Sequence, residues 1–328
     1  MDLWVVASSR VLARGMEATA PPSHLLITRQ RARRGERAVV GLLGLCALVS
    51  VLVTVGIVAV LAGETLRFLA DYSPIKFLTG TDWAPVGGRT EGGAFGILPL
   101  LNGTLLIALG SLAVGLPLGL AAAVYLSEYA RPRVRAVLKP TLEILAGVPT
   151  VVVGFFALSY ITPHILRPLF GTDNVFVFNA AAGAIGVGLL TIPIIASISE
   201  DALRAVPQSL REAAYGLGTS KRVVAARVVI PAALSGITAS VILAVSRAVG
   251  ETMVVTLAAG NTPNLTYDFF ESIQTVTASI AQTVSGEVAA GTTRYRALFA
   301  LGSVLFVLTL SLNLLSARFV RRFRQVYQ

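Results

Sequence analysis

Six long apolar stretches constrain this chain more than any other feature, because a helix needs only about 20 such residues to cross roughly 30 Å of hydrocarbon. They run 38–62, 97–125, 144–161, 178–198, 228–259 and 297–315. The fifth is long enough to bend, tilt or project beyond a bilayer. Charged residues make up 13% of the chain, well below the roughly one-quarter of ordinary soluble domains. The expected fold class is therefore an all-α integral membrane protein with six spans.

A net charge of +10 raises the possibility of nucleic-acid binding, but the basic residues sit beside the apolar runs, and no nucleic acid is expected as a partner. With both termini cytoplasmic, twenty Lys and Arg fall on inside segments and six on the outside loops 63–96, 162–177 and 260–296. That asymmetry fixes the expected orientation. Residues 1–36 read as a cytoplasmic tail, with Met16 an alternative start, and 37–328 as the membrane domain. The first apolar run is too long for a signal peptide. Cys46, His24 and His164 offer no disulfide and no metal-binding pattern.

Within the membrane, Pro117, Pro149 and Pro193 favour kinks, and the small residues of GSLAVGLPLGLAAAV (110–124) permit close helix approach. In the last outside loop, Phe269, Phe270, Ile273, Val276, Ile280 and Val284 recur at helical spacing. They predict an amphipathic helix lying on the outer surface of the bundle.

Residues 199–237, SEDALRAVPQSLREAAYGLGTSKRVVAARVVIPAALSGI, read as two short helices and a hinge. Pro207 suits a first helical position, Gly216 and Gly218 can supply a left-handed stop, and Thr219 or Ser220 can cap the second helix. Glu212-Ala213-Ala214, followed by Gly218 and then Val228-Val229-Ile230-Pro231, resembles the EAA loop of permease subunits of bacterial ATP-binding-cassette importers. The resemblance implies a six-span type I importer permease with a cytoplasmic coupling-helix loop in the bacterial inner membrane. It also implies that Glu212, Ala213, Ala214 and Gly218, with Arg211 and Tyr215 beside them, contact an ATPase. The chain has no G-x-x-x-x-G-K-[ST] loop, so no cofactor is expected on it, and ATP and Mg belong to a separate ATPase dimer.

The stretches 103–130, 142–158 and 246–255 resemble the PstC-type permeases of phosphate importers. That likeness implies inorganic phosphate as cargo, a PstA-like second permease, a PstB-like ATPase and a PstS-like external binding protein, all assembled in membrane lipid. Sulfate or molybdate would present the same tetrahedral chemistry.

SRAVGETMVV (246–255) places Arg247 and Glu251 four residues apart in an apolar run, so on one helix they can pair or share a cavity. Ionisable groups there cost about 2.5–3.5 kcal/mol each and mark function by default. One reading makes Arg247 a donor fork for the anion in transit, positioned by Glu251, with Ser246 and Thr252 as further donors. Another makes the two a self-neutralising lock. An ion-coupled secondary carrier, or a scaffold without transport, would fit the spans but not the EAA-like loop.

Overall fold

The computed structural model describes residues 23–85, 93–286 and 288–323. Among them are five helices long and apolar enough to cross a membrane singly, and a bent pair long and apolar enough only when its two helices are taken together, which counts as a sixth where the pair is one span. The predicted all-α class holds. The first helix, Ser23–Asp71, has 49 residues, about 73 Å at 1.5 Å per residue. It begins inside the predicted tail, of which residues 1–22 lie outside the described residues. Residues up to Val60 form one unit and those from Leu61 a second. In the first unit the apolar side chains from Val39 to Val60 are exposed, as a lipid-facing helix requires.

The second unit is built around helix Ala180–Arg204, 61% of whose apolar window is buried, against at most 33% in the other single spans. Leu98–Val124 packs along it, and the sequence explains how closely. A Cβ added at Gly115 would collide with the Thr191 hydroxyl, and one at Gly119 would stand 2.8 Å from Cβ of Ile195. Gly188 reciprocates against Val114, at 3.0 Å from its Cβ. Lipid tails are as apolar as leucine, so this fit of small residues, rather than hydrophobic drive, holds the two helices together. Asn179 caps the central helix, accepting the Ala182 N–H at 2.8 Å and donating to Thr162 Oγ1 at 3.1 Å.

Three boundaries differ from the sequence expectation. The third span does not start at 144: helix Pro132–Ala146 ends before Pro149, and a new helix runs from Thr150 through wide-turned residues 157–166 to Phe170. Proline biases the residue before it away from helical backbone, so Pro149 heads the span instead of kinking it. Pro117 and Pro193 do lie inside helices. The fifth apolar run is split, with Lys221–Ala232 and Leu234–Gly250 meeting at 70° and a separate helix, Met253–Ala258, following.

The third difference is the amphipathic helix expected across Phe269–Val284. Only Val276–Ser285 is helical, and Val276 through Ser279 are buried rather than lying on the surface. Phe269, Phe270 and Ile273 belong to a non-helical segment stitched to the bundle by its backbone. Ala181 N–H donates to the Phe269 carbonyl at 2.7 Å, Ala180 N–H to Glu271 at 3.0 Å, and Ile273 N–H to Ala259 at 3.0 Å. Their apolar spacing serves burial between helices, not one helical face.

At the same end, residues 64–85 and 93–97 form a small cap. Strands Trp83–Ala84 and Ala94–Phe95 pair antiparallel, and Phe68, Phe77, Trp83 and Phe95 close into an aromatic cluster.

Candidate functional site

At the opposite end, helix Gln208–Gly216 ends in a turn where Gly218 has φ +74°. Of the two glycines expected to supply the left-handed stop, Gly218 is the one that does. A Cβ there would meet nothing within 4 Å, so the constraint is conformational and not steric crowding by neighbours. Thr219 does not cap the next helix: its hydroxyl donates backward to the Ala214 carbonyl at 2.7 Å and closes the first. Lys221 then stands 5.2 Å over the Tyr129 ring, a cation–π contact at the start of the second helix.

The residues of this loop divide by face. Glu212, Ala213, Tyr215 and Gly218 are exposed, and Leu217 between them is 84% exposed. Ala214 turns inward with Leu210 onto Leu203, Val206, Val224 and Val229. Arg211 also turns inward. Its Nη1 donates to Glu128 Oε1 at 2.6 Å and its Nη2 to the Leu203 carbonyl at 2.7 Å. Arg211 is therefore a strut between the loop and the ends of two spans, and the exposed face consists of its neighbours.

Beyond the loop, the spans are locked to each other. Ser199 and Ser240 share a hydrogen bond of 2.8 Å, and Gly236 leaves room for Ala202 where any Cβ would collide. Glu200 is fully buried. Arg135 Nε and Lys139 Nζ each donate to it at 2.8 Å, and Lys139 also reaches Asp201 at 2.6 Å. Asp201 and, after it, Glu200 stabilise the ammonium by hydrogen bonding and hold the Lys139 pKa above its ordinary value. The cluster clamps Pro132–Ala146 to the central helix. Sequence reading missed it; the one available signal was the spacing of Arg135 and Lys139 on one helical face beside an acidic pair ending an apolar run.

Arg247 and Glu251 do not pair. Helix Leu234–Gly250 ends one residue before Glu251, whose backbone is extended (φ −69°, ψ 132°), so the four-residue spacing no longer defines a face. Glu251 is buried. Its Oε1 accepts the N–H groups of Thr252 and Val254 at 3.2 and 3.4 Å, satisfying donors at the start of Met253–Ala258. Its carbonyl accepts the Thr277 hydroxyl at 2.8 Å. Arg247 is exposed and lines a cavity of about 640 Å³ with Glu143, Pro193, Ser197, Leu243 and Ser246. Ser246 is held by Asn313, to which it donates at 3.1 Å. The Thr252 hydroxyl is turned to the Gly250 carbonyl at 3.3 Å. Glu143, not Glu251, is thus the carboxylate on the Arg247 cavity, and it had not been singled out from sequence.

Arg247 therefore shares its cavity with one carboxylate and two serines, and its helix leads through the 70° bend to the segment that follows the loop. The family model for the inner membrane component of binding-protein-dependent transport systems matches residues 115–325, more than half of the chain. The chain belongs to that family. It is 33% identical over 284 residues to the probable ABC transporter permease protein YqgH of Bacillus subtilis, covering 86% of this chain and 89% of the relative. It is also 33% identical to the phosphate transport system permease protein PstC of Mesorhizobium japonicum, covering 80% and 83%. Phosphate transport system permease protein PstA 1 of Mycobacterium tuberculosis is 37% identical over 177 residues, 54% of each chain. Among solved structures, an inward-facing MetNI methionine ABC transporter chain superposes with TM-score 0.51 at 18% identity, covering 70% of this chain and 94% of that one. That match speaks to the fold alone.

Proposed function

We propose that this chain is the PstC-like permease subunit of an ATP-driven importer of inorganic phosphate, and that it forms the translocation path with a second, PstA-like permease. The observation that carries the reading is Arg247, a guanidinium with no ion-pair partner among the described residues, on an open membrane cavity in a chain similar to PstC over most of its length. Guanidinium is the side chain best matched to a tetrahedral oxyanion, because it offers parallel donors in one plane. One cation neutralises a dianion only in part, so the second permease supplies further positive charge.

The exposed face of Glu212, Ala213, Tyr215 and Gly218 docks the ATPase, which carries ATP and Mg; Arg211 and Ala214 hold that face in place. An external binding protein delivers the anion. The excess of Lys and Arg on the segments read as inside supports a cytoplasmic placement of both termini. Glu251 keeps its place in the pathway as the residue that fixes the helix break below Arg247, with Ser246 and Thr252 framing the break.

Labelled phosphate uptake in cells lacking other phosphate transporters tests this. Arg247→Met should abolish uptake with expression and complex assembly intact, and Arg247→Lys should restore only part, since a point charge lacks the fork. Normal uptake by Arg247→Met would move the anion route elsewhere, and competition by sulfate or molybdate stronger than by phosphate would change the cargo.

A further inference from the structure

At the end of the bundle read as outside, a second cavity of about 480 Å³ lies apart from the one lined by Arg247. Trp83 of the cap, Asn261 and Gln274 of the returning segment, Ser279 and Gln282 of helix Val276–Ser285, and Arg294 at the start of the last helix contribute to its wall. The wall is chemically one-sided. It offers a guanidinium, hydroxyls and amides, and no carboxylate among the described lining residues.

Two of these donors have no acceptor. Ser279 is 1% exposed, and neither its Oγ nor Nε of Arg294 has a hydrogen-bond partner among the described residues. Thr283, one turn on, spends its hydroxyl on the Ser279 carbonyl at 2.7 Å; Ser279 does not repeat that local bond. Gln274 Nε2 donates to Gln282 Oε1 at 2.6 Å, which leaves the Gln282 amide N–H groups as another donor. Buried polar groups are nearly always satisfied, and an orphaned donor is costly. Two around one cavity, with the exposed Gln282 amide beside them, call for an acceptor that the described residues do not provide.

We propose that this cavity is an outer receiving site for a tetrahedral oxyanion, held by Arg294, Ser279 and Gln282 before the anion enters the membrane path. The inference rests on the importer reading above and deepens it. A cation would face Arg294, and an apolar ligand would leave the donors unsatisfied. An oxyanion accepts from all three and can keep bridging water in the remaining volume.

The test uses the full chain in whole cells, with Cys46→Ala removing the one native thiol. Ser279→Cys, and separately Thr283→Cys with Ser279 intact, are labelled from outside by a membrane-impermeant cationic thiol reagent. Inorganic phosphate or sulfate should slow labelling several-fold while chloride does not. Arg294→Gln should remove that protection, judged by the ratio of each variant's rates with and without oxyanion. Equal labelling with and without oxyanion at both positions would overturn the site, as would protection that survives Arg294→Gln. Protection seen only on adding the external binding protein would also overturn it, making the cavity a protein-docking surface. Protection by sulfate but not phosphate would support the site while refuting phosphate as cargo. Protection by phosphate together with normal uptake in Arg247→Met would support it while refuting the inner route.

Discussion

Arg211→Met should detach the exposed loop helix without unfolding the bundle. In the folded protein the Arg211 and Glu128 side chains are only 11% and 4% exposed, with Nη1 and Oε1 2.6 Å apart, so solvent screens the pair weakly. Removing one partner of a buried pair costs about 3–5 kcal/mol, chiefly because the other charge is stranded. Ser127 donates to Glu128 at 2.9 Å and softens that cost, while the Leu203 carbonyl loses its donor as well. Taking roughly 3 kcal/mol, the opening equilibrium of helix Gln208–Gly216 should rise on the order of a hundredfold, and its amides should exchange with deuterium faster by that factor. Met keeps much of the stem packing, so the loss is electrostatic. The double variant Arg211→Met with Glu128→Leu should recover most of the protection, because an apolar pair can replace a buried ion pair. Exchange within a few-fold of the parent in Arg211→Met would refute the strut, as would equal deprotection in the single and double variants.

Gly218→Val, forced to φ +74°, should cost about 1–2 kcal/mol in the turn and impair ATPase association, whereas Gly216→Ala should be neutral or stabilising; association measured by co-purification separates the two. Gly115→Val should wedge Leu98–Val124 from the central helix at Thr191, costing about 1–3 kcal/mol by overpacking and lowering thermal stability in detergent. Lys139 has a raised pKa, so the stabilisation from its contacts with Asp201 and Glu200 is complete below the ordinary lysine value and lost as pH rises through the raised one. Deuterium exchange of Pro132–Ala146 amides, corrected for intrinsic rate, should show no loss of protection between neutral pH and pH about 10. Arg247→Met and Glu251→Leu should act additively on thermal stability, with a coupling below about 0.5 kcal/mol, because the side chains do not meet; a compensating double variant would restore the lock.

The six spans and the loop were legible because each depends on information local in sequence: run length, flanking charge, and a glycine turn between two short helices. What failed was extrapolation of a helical period across a break. Arg247 and Glu251 share a face only if the helix continues, and Gly250 beside Glu251 is where it stops; a glycine at the end of a periodic run is a stop signal that the spacing argument passed over. The same error extended the Val276–Ser285 helix back through Phe269, although Thr275 accepts the Ala278 N–H at 3.2 Å and marks the true start. Glu200, Glu143 and the inward turn of Arg211 were out of reach for another reason. Their partners lie far away along the chain, and no local period reports tertiary neighbours.

These corrections bear on how force could travel from the loop to the anion route. Helix Leu234–Gly250 has 17 residues, a rod of about 25 Å, and carries Arg247 in its last turn. Its other end abuts the 70° bend that joins it to Lys221–Ala232. Were Arg247 and Glu251 in one unbroken helix, any movement of that rod would carry both charges together. Because the chain breaks between them, Glu251 is tied to Met253–Ala258 and to Thr277, whereas Arg247 belongs to the rod. On the importer reading, a shift of the docked loop therefore changes the position of the guanidinium relative to a fixed carboxylate and a fixed outer segment. A cation that moves past stationary walls can bind and release an anion; a locked ion pair cannot.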